Sequence, residues 1–245
     1  MIEGMSDGGL GVLLLGVAVG VQHAFEADHI AAVSSLAAPQ KSVRRIIAHG
    51  AVWGLGHTAT LMVVTGGAIV FGLAISQPLT EWLELLVGVM LVGLGANVII
   101  TMARKRIHFH RHNHGDGTTH FHAHSHNGEA APHDPNRHDH RHPPGLPVRA
   151  FVVGMMHGMA GSAALLVLTA ATVGSAPLGI GYIALFGLGS IVGMAALSAV
   201  IAVPLAWSAR AMTWANNGLL GVIGLTTIIL GSTIVNDSLR ALISA

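Results

Sequence analysis

Six long apolar stretches dominate the chain, at about 9–38, 47–75, 81–103, 149–173, 178–206 and 214–236, each bounded by polar or proline-containing connections. A helix rises ~1.5 Å per residue, so ~20 residues cross the hydrocarbon of a bilayer, and every stretch meets that length. Their mixture of Leu, Val and Ile with many Gly and Ala suits helices that pack closely in lipid. The pattern predicts an all-α polytopic membrane protein with six transmembrane helices. One connection, residues 104–148, is far longer than the others and has a different character.

Composition supports this reading: 52% of residues are hydrophobic and 9% are charged, against roughly 25% charged in soluble domains. Such a chain cannot cover a water-facing surface. The N-terminal "MIEGMSDGG" has no basic residue and no small-residue cleavage site follows it, so the first stretch is expected to stay in the membrane. There are no cysteines, which excludes disulfides and thiolate metal sites. The net charge of +1 says little about partners, and nothing points to nucleic acid.

The basic residues do change the picture. Lys41, Arg44, Arg45, the run from Arg104 to Arg149, and Arg210 all fall on odd-numbered connections, whereas Arg240 alone falls on the other side. Positive charge gathers on the cytoplasmic face. Both termini are therefore expected outside the cytoplasmic (inner) membrane of a bacterium and the long connection inside. Trp82, Trp207 and Trp214 lie near segment ends, as interfacial indoles do.

The two halves align at an offset of 133 to 134 residues. "GVQH" (20–23) falls on "GMMH" (154–157), "WGLGHTATLM" (53–62) on "FGLGSIVGMA" (186–195), and "LLVGVML" near "GLLGVIGL". Three matches in order point to duplication. A unit of three spans must enter the membrane inverted on its second use, the arrangement of secondary transporters with a substrate site near the midplane. The predicted organisation is a first three-helix repeat at 1–103, a loop at 104–148 and a second repeat at 149–245.

Chemistry is loaded on the first repeat. "QHAFEADHIAAV" places His23, Glu26, Asp28 and His29 within seven positions, and His57 follows on the next helix. The second repeat has His157 at matching depth, with Ser162 opposite Asp28 and Ser190 opposite His57. A charge inside a span costs a few kcal/mol even on lenient scales, so it normally faces a cavity, a partner or an ion. Imidazole with carboxylate suits nickel, cobalt, zinc, iron or copper. On an ideal helix His23 and His29 would stand ~9 Å apart along the axis and ~120° apart around it. One ion could not take both, so a break at 23–29 is expected. His23, Asp28, His29 and His57 are the first candidates for metal contact. Glu26 and His157 come second, since Glu26 could simply pair with a histidine one turn away and a membrane histidine often bonds a neighbouring helix. His49 is expected at the interface.

"HAFEADHI" resembles the His-x4-Asp-His signature of the nickel/cobalt transporter family, and "GLGHTATL" its second, histidine-containing signature. The resemblance implies that His23, Asp28 and His29 take part in metal selection and passage, with His57 nearby. It is strong over the first two helices and weak beyond them. The chain departs from the longer members: six spans replace eight, Gln22 stands where Arg is common, and the Asp-Thr signatures are missing. It is therefore more similar to the shorter, six-span branch of the nickel/cobalt permease group, which includes urease-associated members and exporters.

The long connection carries twelve of the seventeen histidines, in alternating runs that include His108, His110, His112, His114, His120, His122, His124 and His126. With few apolar residues it is expected to be largely disordered. Its imidazoles would be auxiliary ligands for divalent ions, Zn2+ among them, and would release them on protonation near pH 6.

The expected function is a permease for Ni2+ or Co2+, with the loop buffering or gathering metal. The form of "HAFEADHI" leans toward uptake, with efflux the alternative. An enzyme is not expected. Histidine-box oxygenases need about eight histidines where the spans hold five, and Ser162 in "AGSAAL" is weak support for a serine hydrolase. A haem protein using His57 and His157 as axial ligands is the reading from another class. No Walker motif is present, so no ATPase is encoded here. No resident cofactor is required, the partners are metal ions and lipid, and a homo-oligomer is compatible with all of this.

Overall fold

The computed structural model describes residues 7–40, 42–73, 75–104, 107–113, 119–125, 147–160, 173, 175–211 and 213–244. Among these lie seven helices: α1 (Asp7–His23), α2 (Ala27–Ala37), α3 (Val43–Phe71), α4 (Gln77–Arg104), α5 (Val148–Gly158), α6 (Ala176–Ala211) and α7 (Thr213–Ser244). Four of them, α3, α4, α6 and α7, are each long and apolar enough to cross a bilayer. The pair α1 and α2 passes the same test together but is bent by 57° at a short break. The fourth apolar stretch is seen as α5 and two following residues; its remainder, with Ser162, lies outside the described residues. The protein is an integral membrane protein, and its surface agrees: Leu14, Val63, Phe71 and Val200 are all exposed side chains on these helices. The indoles of Trp82 and Trp207 are exposed near helix ends, as an interfacial ring requires.

Local sequence explains the ends. α3 stops at Gly72, whose φ of 63° is the left-handed conformation that glycine adopts without a Cβ penalty. Leu73 N–H then donates to the Ala68 carbonyl at 2.8 Å, closing the last turn. α1 and α5 end differently and alike. Phe25 and Glu26 donate to Gln22 and His23, and Met159 and Ala160 donate to Met156 and His157. These are the same tightened three-residue turns at positions 134 apart.

Within residues 104–148, β1 (Ile107–Asn113) and β2 (Thr119–Ser125) pair antiparallel. His108 sits opposite His124, His110 opposite His122 and His112 opposite His120. The alternation of histidine with other residues has the period of a strand, a reading that the expectation of disorder passed over. His114 and His126 lie outside the described residues.

The helices pack in a definite order. α3 lies between α5 and α6, α1 lies along α6, and α4 lies along α7, while α2 touches α3, α4, α6 and α7. Trp53, Leu91, Met194 and Leu197 are buried where these helices meet. Backbones come close enough that only glycine fits. A Cβ at Gly20 of α1 would run into the Phe186 carbonyl of α6, and one at Gly154 of α5 into the Trp53 carbonyl of α3. Likewise Gly56 of α3 lies on the Phe151 carbonyl, and Gly189 of α6 on the Val17 carbonyl. Each contact turns into its partner under the offset of 133 to 134 residues that aligns the sequence. Between α4 and α7 a similar exchange occurs at an offset of 136: Gly88 faces Gly231 and Gly95 faces Gly224.

Candidate metal site

The break between α1 and α2 resolves the spacing conflict. Ala24 to Glu26 leave the helix, with Glu26 extended at φ −66° and ψ 152° before α2 begins. The bend turns His29 back toward His23, and their ring centroids come within 4.3 Å. His57 reaches in from the middle of α3, fourteen residues from either end, and its ring lies 5.3 Å from His23 and 5.2 Å from His29. His157, in the last turn of α5, lies 4.3 Å from His29. Four imidazoles from four helices thus share one buried place, all at most 5% exposed. His49 stands apart, with its Nδ1 2.8 Å from the Arg45 carbonyl.

Carboxylates orient three of these rings. His29 Nδ1 donates to Asp28 Oδ1 at 2.8 Å and His157 Nε2 to Asp28 Oδ2 at 2.9 Å. His23 Nδ1 donates to Glu26 Oε1 at 2.9 Å. An ionised carboxylate only accepts, so each imidazole must place its proton on the nitrogen facing it. The other nitrogen then carries a bare lone pair. Those nitrogens, His23 Nε2, His29 Nε2 and His157 Nδ1, are buried without a hydrogen-bond partner among the described residues, as are both nitrogens of His57. A buried acceptor left unpaired costs about 1–3 kcal/mol. Several together, on rings held by carboxylates, form the outer-shell pattern of metal-ligating histidines. Asp28 itself is held by the His29 backbone N–H at 2.8 Å, in the first turn of α2.

Two groups of donors come close enough for one ion. His23, His29 and His57 form one, and Asp28, His29 and His157 the other, with donor atoms within 4.8 Å of one another in each. His29 belongs to both. A cavity of about 270 Å³ reaches the cluster, lined by His23, Glu26, Asp28, His29 and His157 together with Glu84 of α4. Thus all six residues singled out in the spans come together here, the second-ranked His157 as one of the clustered donors and Glu26 through its bond to His23.

Two neighbours escaped the sequence reading. Trp53 is wholly buried, with its ring 5.3 Å from both His29 and His157. Its signal was its place one turn before His57 on α3, the same helix face. Glu84 was legible as a carboxylate inside the third apolar stretch. The rings of His29 and Trp53 pack against both His57 and His157, where a haem plane bridging those two would have to lie.

No family profile matches the chain, and no solved structure matches it. A curated protein does: the urease accessory protein UreH of Bacillus sp. (strain TB-90) is 34% identical over 223 residues, covering 91% of this chain and 89% of that protein. Its name is that of an accessory to an enzyme, not of an enzyme. An alignment this long runs through both halves and their helices, so the chain belongs to the family of the urease accessory protein UreH.

Proposed function

We propose that this protein is a permease carrying nickel or cobalt across the bacterial cytoplasmic membrane, with uptake the favoured direction. The observation that carries the proposal is the buried set of imidazoles, three of them oriented by Asp28 and Glu26, whose other nitrogens have no hydrogen-bond partner among the described residues and whose donor atoms come close enough for one ion. Nitrogen with carboxylate oxygen suits nickel and cobalt better than the hard ions magnesium and calcium. The relative's role as an accessory to urease agrees with nickel as cargo. Six spans arranged as two inverted repeats support transport, and the exchange of glycine contacts under one offset supports that arrangement. The basic connections favour termini outside and the histidine-rich loop in the cytoplasm, where it would buffer arriving metal.

In this reading His23, His29 and His57 form a nitrogen-rich station, while Asp28 and His157 share His29 as a second. Because His29 is common to both, one ion can pass between ligand sets without losing all its ligands at once. Expression of the wild type and of His29→Ala tests this. Cell nickel and cobalt, measured by mass spectrometry against an empty vector, should rise for the wild type and return to background for His29→Ala at equal membrane abundance. No change of either metal with the wild type would sink the proposal.

A further inference from the structure

Glu84 is a carboxylate within α4 that no hydrogen bond or ion pair engages among the described residues, and it lines the same cavity as the histidines. It stands seven residues into α4, about 10 Å from the helix start and at the end opposite the basic Arg104. A charge at that depth is retained where it faces a cavity or an ion. Exposure grades along the cavity wall, from 1% for the His29 side chain through 27% for Asp28 to 56% for Glu26. The carboxylates therefore stand outward of the imidazoles. Below them lie unpartnered nitrogens of His23 and His29 on side chains more than nine-tenths buried, lining the cavity that Glu84 shares.

Charge over the whole chain runs the same way. Outside residues 104–148 and apart from Asp28, the acidic residues are Glu3, Asp7, Glu26, Glu81, Glu84 and Asp237. None falls on a connection that carries the basic residues. A cleft lined by one sign of charge within low-dielectric walls focuses the field and raises the local concentration of the opposite ion.

Resting on the transport reading above, we propose that Glu84, with Glu26, is the capture station of the pathway. It takes a hydrated divalent cation by oxygen contacts on the non-cytoplasmic side and passes it inward to the nitrogen ligands. Oxygen suits an ion that keeps its water; nitrogen suits the same ion once stripped.

The test is initial-rate nickel uptake in cells expressing the full chain, over a range of nickel concentrations, with His29→Ala as the inactive control. Glu84→Gln should raise KM about tenfold with the maximal rate within about twofold of wild type, and Glu84→Asp should restore most of the loss. The wild-type KM should also climb as ionic strength is raised over a range that shortens the Debye length from about 30 to 8 Å, and this climb should flatten in Glu84→Gln. A wild-type KM in Glu84→Gln, or a fall in maximal rate alone, overturns the proposal. Should Glu84→Gln fail to reach the membrane, a salt-independent wild-type KM overturns it and a salt-dependent one with a near-normal Glu84→Asp supports it. If wild type carries no nickel, the transport reading falls instead, so the two failures are distinct.

Discussion

The break after α1 and the end of α5 are built alike and used differently. Both helices close with the same turns, at His23 and at His157, and both lay a glycine on the carbonyl of a crossing helix. Past that point the first copy supplies Glu26, Asp28 and His29, whereas Ala160 stands where Glu26 does. The crossing helices differ in the same sense. His57 on α3 has no partner for either nitrogen among the described residues, but Ser190 on α6, 133 residues on, donates to the Gly20 carbonyl at 3.2 Å. One position opens toward a ligand and the other is closed by a hydrogen bond. The scaffold therefore needs the small residues of both copies, whereas the polar cluster is drawn mostly from the first, with His157 contributed by the second.

The largest effect should come from attacking what the copies share. Gly20→Val and Gly154→Val each force a side chain into a backbone carbonyl, beyond the 1–3 kcal/mol typical of overpacking. Both should abolish folded protein in the membrane, read by fluorescence-detected size exclusion, and a normal profile for either would break the equivalence. Next comes what they do not share. His57→Ser, which copies the second half into the first, should lower metal accumulation by about 100-fold with membrane abundance intact, since it deletes a ligand of the proposed nitrogen-rich station. Asp28→Asn keeps the imidazoles but removes a carboxylate and loosens two rings, and should weaken metal affinity by 10–100-fold, measured as a shift in the uptake KM. The smallest change belongs to Ser190→Ala, which removes one hydrogen bond worth about 1 kcal/mol. Melting temperature should drop by a few degrees while uptake is unchanged; a transport defect there would mean that Ser190 joins His157 in the second copy's contribution.

Much of this was legible beforehand because lipid simplifies the code. Apolar length located the four long helices and the bent pair of α1 and α2, and helical geometry alone required a break between His23 and His29, which the bend at Ala24 to Glu26 supplies. Geometry could not reveal which second-half residue joins the site. His157 stood in the sequence as a lone membrane histidine, and only the crossing of α5 over α3 brings it to Asp28. Trp53 drew no attention for the same reason, because nothing local distinguishes a wall of a site from any buried indole. Glu84 needed the packing of α4 beside the cluster to acquire a meaning. The pairing of β1 with β2 was passed over because low hydrophobicity argued against a core, and a two-stranded ribbon requires none.

The termination of α1 at His23 and of α5 at Gly158 has an electrostatic consequence. Peptide dipoles sum along a helix to leave about half a negative charge at its C-terminal end. Two such ends converge on one cluster of imidazoles, so a dication arriving there meets attractive potential from main-chain carbonyls that add no formal charge to the bilayer interior. The opposite pole, at the start of α2, lies beside Asp28 and steadies its anion.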